Sequence, residues 1–244
     1  KKSNSKILKH LNLTKLIKLN INALAMNDIA KAELELQKAF QIFDKSPSSL
    51  GYKKGELLSH LGTIYFLKQK FVEAEAHFEQ AIKIQSRYFR QKNSVNGDCL
   101  AKLGSIYLMQ NKKVAALKNL EKAISIKVSL VESKNQEIID IYNQVIEILI
   151  SQEKFKPAIN RLQKVLYKLQ GLYGGSDNEI IDVLFKLGMI YMTIEKEALS
   201  LEHFEKALRL CVKTYGNDHA RTKEVIQKIN EIKKEKIEDS LQFE

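Results

Sequence analysis

Tryptophan is absent from this chain of 244 residues, and proline, cysteine and histidine number only 2, 2 and 5. The 2 prolines and 10 glycines make 12 of 244 residues, about 5%, where ordinary usage is about 12%. A chain so poor in turn residues has few tight corners, which excludes a sandwich, a barrel or any loop-rich fold and predicts long helices with short connections. No apolar run approaches the roughly 20 residues of a bilayer span, so a soluble chain is expected. The N-terminal stretch lacks the unbroken apolar segment of a secretory signal. At 44% hydrophobic and 28% charged, the composition can still build a core and solvate it, which excludes disorder.

The net charge of +11 is unevenly placed. Lys1, Lys2, Lys6, Lys9, Lys15 and Lys18 are met by no acid in the first 18 residues, and the other five excess charges are spread over 226 residues. This describes a basic N-terminal arm on a mildly basic body. The arm reads as the solvated side of an end helix, with an acidic partner, RNA or a lipid surface as the functional alternatives. The chain opens on Lys rather than Met, as a piece of a longer protein would.

What the sequence does contain is a repeat of 42 residues. Gly62, Gly104, Ile146 and Gly188 form one column at that spacing. Tyr65, Tyr107, Leu149 and Tyr191 form another, and Ala74, Ala116, Ala158 and Ser200 a third. Phe78, Leu120, Leu162 and Phe204 follow, then Ala81, Ala123, Val165 and Ala207, with Lys70, Lys112, Lys154 and Lys196 in step. A worn copy precedes them in Leu19, Asn20, Ala23, Ala32, Leu36 and Ala39. Ile226, Ile229 and Asn230 begin a last one that fades into polar residues, as a terminal cap would.

Within one copy, apolar residues fall at helical spacing over Leu57–Leu67 and Phe71–Ile84, joined by a polar turn at Lys68–Lys70. Two antiparallel helices cross closely only where side chains are small, and Gly62, Ala74 and Ala81 supply those places. Tyr65 and Phe78 fill the space around the crossing. Ser133-x-x-Gln136 and Ser176-x-x-Glu179 read as capping boxes, and Pro157 sits in the first turn of a second helix, where its missing N–H costs little.

Leu58, Leu61, Gly62, Tyr65, Ala74, Phe78 and Ala81, echoed by Leu184, Leu187, Gly188, Tyr191, Ser200, Phe204 and Ala207, resemble the tetratricopeptide repeat. The resemblance covers almost the whole chain and implies an all-α, right-handed α-solenoid of antiparallel helix pairs. The family's proline is missing: Asp44, Ser86, Val128, Gln170 and Val212 hold its place. Eight residues beyond the family's usual length would then lengthen each second helix by roughly 12 Å. This long period is similar to that of kinesin light chains, as is Tyr215-Gly216-Asn217-Asp218-His219-x-x-Thr222, echoed by Tyr173-Gly174. The units expected are a basic arm and helix start at 1–12, repeats at 13–54, 55–96, 97–138, 139–180 and 181–222, and a capping helix and tail at 223–244.

The family lines a concave groove with its first helices, a shape that suits an extended peptide or partner helix. Carried over position by position, the groove set is Ser59, His60, Thr63 and Phe66, then Lys102, Ser105 and Met109, then Asn143, Gln144 and Glu147, then Phe185, Lys186, Met189 and Met192. The amides could bond a peptide backbone, the two lysines could meet acidic ligand residues, and Met and Phe could offer adaptable apolar contact. The family's chaperone-carboxylate clamp is not matched, because Ile106 and Ile190 stand where its Lys-x-x-x-Asn and Lys-x-x-x-Arg sets need an amide and a guanidinium.

Catalysis finds no constellation. His77 and His203 share one column, while His10, His60 and His219 stand alone. Cys99, near a helix start, and Cys211, in an apolar run, read as packed thiols of a reducing compartment. Gly171, Gly174 and Gly175 read as a link between repeats rather than a phosphate loop. The expectation is a non-enzyme without cofactor, metal or small-molecule substrate. It would be a cytoplasmic protein-interaction scaffold binding a protein or peptide with acidic residues. The alternatives are a structural subunit held by its edges and ends in a ciliary, transport or organellar assembly, and, less favoured, an RNA-binding helical repeat. The last lacks aromatic platforms, since Tyr and Phe mostly fill core columns.

Overall fold

The computed structural model describes residues 2–45, 47–89, 93–130, 135–170 and 177–242; these contain eleven helices and no strand. They divide into two units, Lys1–Ile141 and Tyr142–Glu244, each taken by itself. The first holds α1 (Lys2–Ala25), α2 (Ile29–Asp44), α3 (Pro47–Leu67), α4 (Phe71–Tyr88), α5 (Ser94–Met109), α6 (Lys113–Ser129) and the start of α7 (Asn135–Ser151). The second holds the rest of α7 with α8 (Phe155–Gln170), α9 (Asp177–Thr193), α10 (Glu197–Tyr215) and α11 (Ala220–Gln242).

In the first unit α1 packs on α2, α3 on α4 and α5 on α6, and each pair leans on the next through α2 against α3 and α4 against α5. The first helices also touch each other, α1 with α3 and α3 with α5, and no two second helices of this unit approach as closely among the described residues. In the second unit α9 packs on α10 and lies beside α8, and α11 closes against α10.

Each hairpin is made possible by its crossing. A methyl group built on Gly62 would lie 2.8 Å from the Phe78 ring, one on Gly188 2.8 Å from the Phe204 ring, and one on Gly104 2.5 Å from the Leu120 side chain. These three large side chains are fully buried, each stabilising the fold by roughly 2–3 kcal/mol. Two hairpins carry a polar residue at the crossing and give its donor a local partner, while the Asn20 Oδ1 stays buried without one. Asn20, in the glycine column, donates to the Ala32 carbonyl at 2.7 Å, and Ser200, in the alanine column, donates to the Gly188 carbonyl at 2.8 Å.

A second pair of columns behaves as a matched set. Leu13 and Phe43 are buried apolar residues, as are Ile181 and Cys211. Where the second helix carries a long polar side chain instead, the facing residue is glycine: Gly55 opposite Gln85 and Gly97 opposite Lys127. Gln85 uses the space to donate to the Tyr52 carbonyl at 3.2 Å.

The turns solve the shortage of glycine in one way throughout. Asn27, Gln69, Asn111, Glu153 and Glu195, spaced by 42, all have φ between 56° and 60°. Each ends its helix in a Schellman motif, as when Gln69 N–H meets the Phe66 carbonyl at 3.0 Å and Lys70 N–H the Tyr65 carbonyl at 2.9 Å. After Asn27, Asp28 caps α2 by accepting from the Lys31 N–H at 3.0 Å.

The expected lengthening of the second helices is corrected. α3 spans 21 residues to the 18 of α4, α5 spans 16 to 17, and α9 17 to 19, so the extra period is shared by both helices and the links. α3 starts at Pro47, ten residues before the apolar spacing begins, because proline suits a first helical position that needs no N–H. Pro157 lies in the first turn of α8 as expected. At the link before α11, Tyr215 stacks on His219 at 4.4 Å, Gly216 takes φ 84° and the Thr222 hydroxyl donates to the Gly216 carbonyl at 2.7 Å. α11 buries Val225, Ile229 and Ile232, while Lys223, Asn230 and Lys234 on its far side are exposed. Ser133 and Ser176 of the capping boxes, the Tyr173-Gly174 echo, the linking Gly171, Gly174 and Gly175, and the side chains of Lys1, Lys2, Lys6 and Lys9 lie outside the described residues.

Candidate functional site

In the first unit the site residues lie on the neighbouring first helices α3 and α5. Ser59 faces α5, where its hydroxyl accepts from the Cys99 thiol at 3.3 Å, and its carbonyl accepts from the Thr63 hydroxyl at 3.0 Å. The Ser105 hydroxyl donates to the Ala101 carbonyl at 3.2 Å. Lys102 places its ammonium 5.1 Å from the centre of the Phe66 ring, a cation–π contact that joins α5 to α3. Burial lowers the Lys102 pKa, opposed by Asp98 and Glu137 and assisted by Lys127. Burial also lowers the pKa of His60, against the pull of Glu56 and Asp98. Met109 does not join this group: as the last residue of α5 it stands 61% exposed at the turn edge of the hairpin.

Behind Lys102, Lys127 extends from α6 under α5 with a side chain only 6% exposed. It donates to Asp98 on α5, and to Glu137 on α7 at 2.8 Å. Burial alone would lower its pKa, and the two carboxylates reverse that and leave it raised. A single ammonium thus ties three consecutive helices.

In the second unit Asn143 and Gln144 are half-buried on α7, and Glu147 reaches Lys186 on α9 at 3.7 Å. Phe185 is covered: the Arg221 guanidinium lies 4.2 Å from the centre of its ring, and Phe204 meets it edge-on at 5.4 Å. Arg221 is held there by Asp182 and Glu224, both at 2.7 Å. Met189 and Met192 pack against the buried cluster around Phe204. In this unit the lysine and the aromatic ring are therefore already engaged by the chain itself.

The histidines His77 and His203 repeat one another, His77 stacking on Tyr65 and His203 lying tilted on Tyr191, each at 5.2 Å. Cys99 and Cys211 are buried free thiols, and burial pushes Cys99 up to about 12. No group of His, Cys, Asp or Glu fit to hold a metal occurs among the described residues. Among them, too, no helix is long and apolar enough to cross a membrane. The residues missed by sequence reasoning are Asp98, Lys127, Glu137 and Arg221.

The tetratricopeptide repeat family matches residues 54–127 and again residues 186–221. The chain carries tetratricopeptide repeats. Such repeats are protein-interaction modules of a typically non-catalytic kind, and this repeat protein is an interaction scaffold in that general sense. No curated protein matches it by sequence. Solved structures share its fold. BtubC (BKLC) from P. vanneervenii is 18% identical over 86% of this chain and 83% of its own, with TM-score 0.60. The nearly identical TPR-like repeats of a Podosopora anserina putative kinesin light chain are 16% identical over 83% and 96%, with TM-score 0.62. The apo form of the quorum sensor NprR from B. thuringiensis is 15% identical over 97% and 63%, with TM-score 0.59.

Proposed function

We propose that the repeat protein captures an extended, acidic peptide segment of a partner along its first helices, with Lys102 as the anchor. The observation that carries this is the placement of Lys102 on Phe66 between α3 and α5. A cation held half-buried on a ring is poorly hydrated, so a carboxylate that meets it loses less water and gains more than at a fully exposed lysine. The Ser59 hydroxyl already accepts from Cys99 and the Thr63 hydroxyl already donates to the Ser59 carbonyl. This leaves Lys102 and the Phe66 ring as the recognition pair. In the second unit Lys186 would have to release Glu147 to serve the same end, so it is the weaker contact.

The test is a display selection of random peptides on the whole chain, repeated on Lys102→Glu and Phe66→Ala. Enriched peptides should carry Asp or Glu, and both variants should lose them while keeping their far-UV circular dichroism. Peptides without acidic residues, or unchanged capture by Lys102→Glu, would remove the anchor assignment.

A further inference from the structure

The hairpin turns of the first unit present an edge unlike that of the second. Met26, Leu67, Val72, Met109 and Val114 all lie at or next to these turns, and Val72 and Val114, equivalent residues of successive hairpins, are 75% and 79% exposed. In the second unit the positions matching Leu67 and Met109 are Ser151 and Thr193, and those matching Val72 and Val114 are Lys156 and Ala198. Charge differs between the two edges chiefly at the apex, since the lysine column of Lys70 and Lys112 continues in Lys154 and Lys196. The residue at the apex of each turn, with positive φ, is a neutral amide in Asn27, Gln69 and Asn111 but a carboxylate in Glu153 and Glu195. The second and third turns add Lys68, Lys70, Lys112 and Lys113 to the apolar tips, against Asp28, Glu33 and Glu73 on the same edge. One of the cations, Lys68, pairs with Glu33.

Exposed apolar side chains interleaved with lysines at one edge, where the equivalent edge keeps Lys154, Lys156 and Lys196 but shows fewer exposed apolar side chains, Leu199 among them, call for an occupant that is both apolar and negative. We propose that the turn edge of the first unit docks on an anionic lipid surface. The apolar side chains stand on separate hairpin tips, so a partner helix would meet them only at points, whereas a fluid bilayer surface receives separated tips. Val72, Val114 and Met109 would enter the headgroup boundary, and the lysines would lie at headgroup level with their alkyl stems alongside. This attachment is weak, reversible and salt-sensitive. It uses a surface distinct from the Lys102 site and stands independently of that reading.

The chain has no tryptophan, so a single introduced indole reports on its own surroundings. The experiment is sedimentation of the whole protein with phosphatidylcholine vesicles containing phosphatidylserine, and with phosphatidylcholine alone. Binding should require phosphatidylserine and fall as salt rises. Val72→Ser with Val114→Ser, and separately Lys70→Glu with Lys112→Glu, should each weaken it by about tenfold or more. The fluorescence of Val114→Trp should shift to the blue on the anionic vesicles, and that of Lys156→Trp should not. Absence of binding, binding unaltered by the serine pair, or equal shifts of the two indoles would overturn the proposal. Retention on immobilised polyglutamate without any vesicle binding would overturn it as well, and would make the edge a protein contact.

Discussion

Lys127 provides the sharpest test of how this fold handles charge. Its side chain is 6% exposed, whereas those of its partners Asp98 and Glu137 are 47% and 51% exposed. The two variants that break the cluster therefore differ in what they leave behind. Lys127→Met returns two half-solvated carboxylates to water and places an unbranched apolar chain in a column that elsewhere holds Phe43, Gln85, Leu169 and Cys211. The expected loss is no more than about 1 kcal/mol, because pairs with exposed partners contribute little and the buried ammonium no longer needs desolvating. Asp98→Asn combined with Glu137→Gln strips two carboxylate charges from the buried ammonium. That costs about 3 kcal/mol, the low end of the range for an orphaned buried ion because water reaches the rim. With about 2–4 °C per kcal/mol for a chain of this size, the melting temperature should fall by roughly 6–12 °C in the double variant. It should fall by at most a few degrees in Lys127→Met. Urea denaturation followed by far-UV circular dichroism measures both. Equal losses, or a larger loss for Lys127→Met, would refute the idea that burial of the ammonium dominates the cluster. The pH dependence adds a second readout. A lysine whose folded pKa is raised above 10.5 contributes its full stability below that value and loses it as pH climbs through the folded pKa. The alkaline loss of stability should therefore be shallower in Lys127→Met.

Two further expectations follow from the turns and from His60. Glu153→Gly and Glu195→Gly should each stabilise the protein by up to about 1 kcal/mol, since glycine carries no penalty at positive φ; matching alanine variants should not, and a gain with alanine would discredit the role assigned to the turns. The His60 pKa is lowered by burial, so the folded state binds its proton less readily than the unfolded chain, and stability should drop as pH falls below 6.5. His60→Gln should flatten that slope in a urea titration across acidic pH, and an unchanged slope would assign it to other groups.

Much of the architecture is legible in the sequence because the columns record steric need. Gly62 with Phe78 and Gly188 with Phe204 are readable as a crossing from residue size alone, and the spacing of 42 places them in register. Asn20 and Ser200 resemble wear in those columns and are instead hydrogen-bonded variants of the same crossing. The site is less legible. Lys127 occupies a column with Phe43, Gln85, Leu169 and Cys211, and a lysine among these buried column-mates is a signal of a buried ion, but only when paired with the glycine that faces it at 97. Its partners Asp98 and Glu137 come from two other helices and share no column, so no periodicity announces them. The column of Phe185 implies an open ring, and the ring lies under Arg221, a residue from the start of a later helix. The column of Met109 implies a groove position because it is counted along a first helix, whereas the helix ends at that residue and turns its side chain to the edge.

The constancy of the period has a consequence for the history of such a chain. Phe71 to Lys112 is one whole period that starts and ends at equivalent turn positions. Its excision would join Lys70 to Lys113 and deliver α6 to the face of α3 that α4 now covers, with Leu120 meeting Gly62 where Phe78 does today. The joint would need no new loop and the crossing would lose only the difference between a phenyl ring and an isobutyl group. Gain or loss of a complete hairpin by genetic duplication or deletion is thus a small step for this molecule, and its length is free to drift in quanta while each quantum stays rigidly specified.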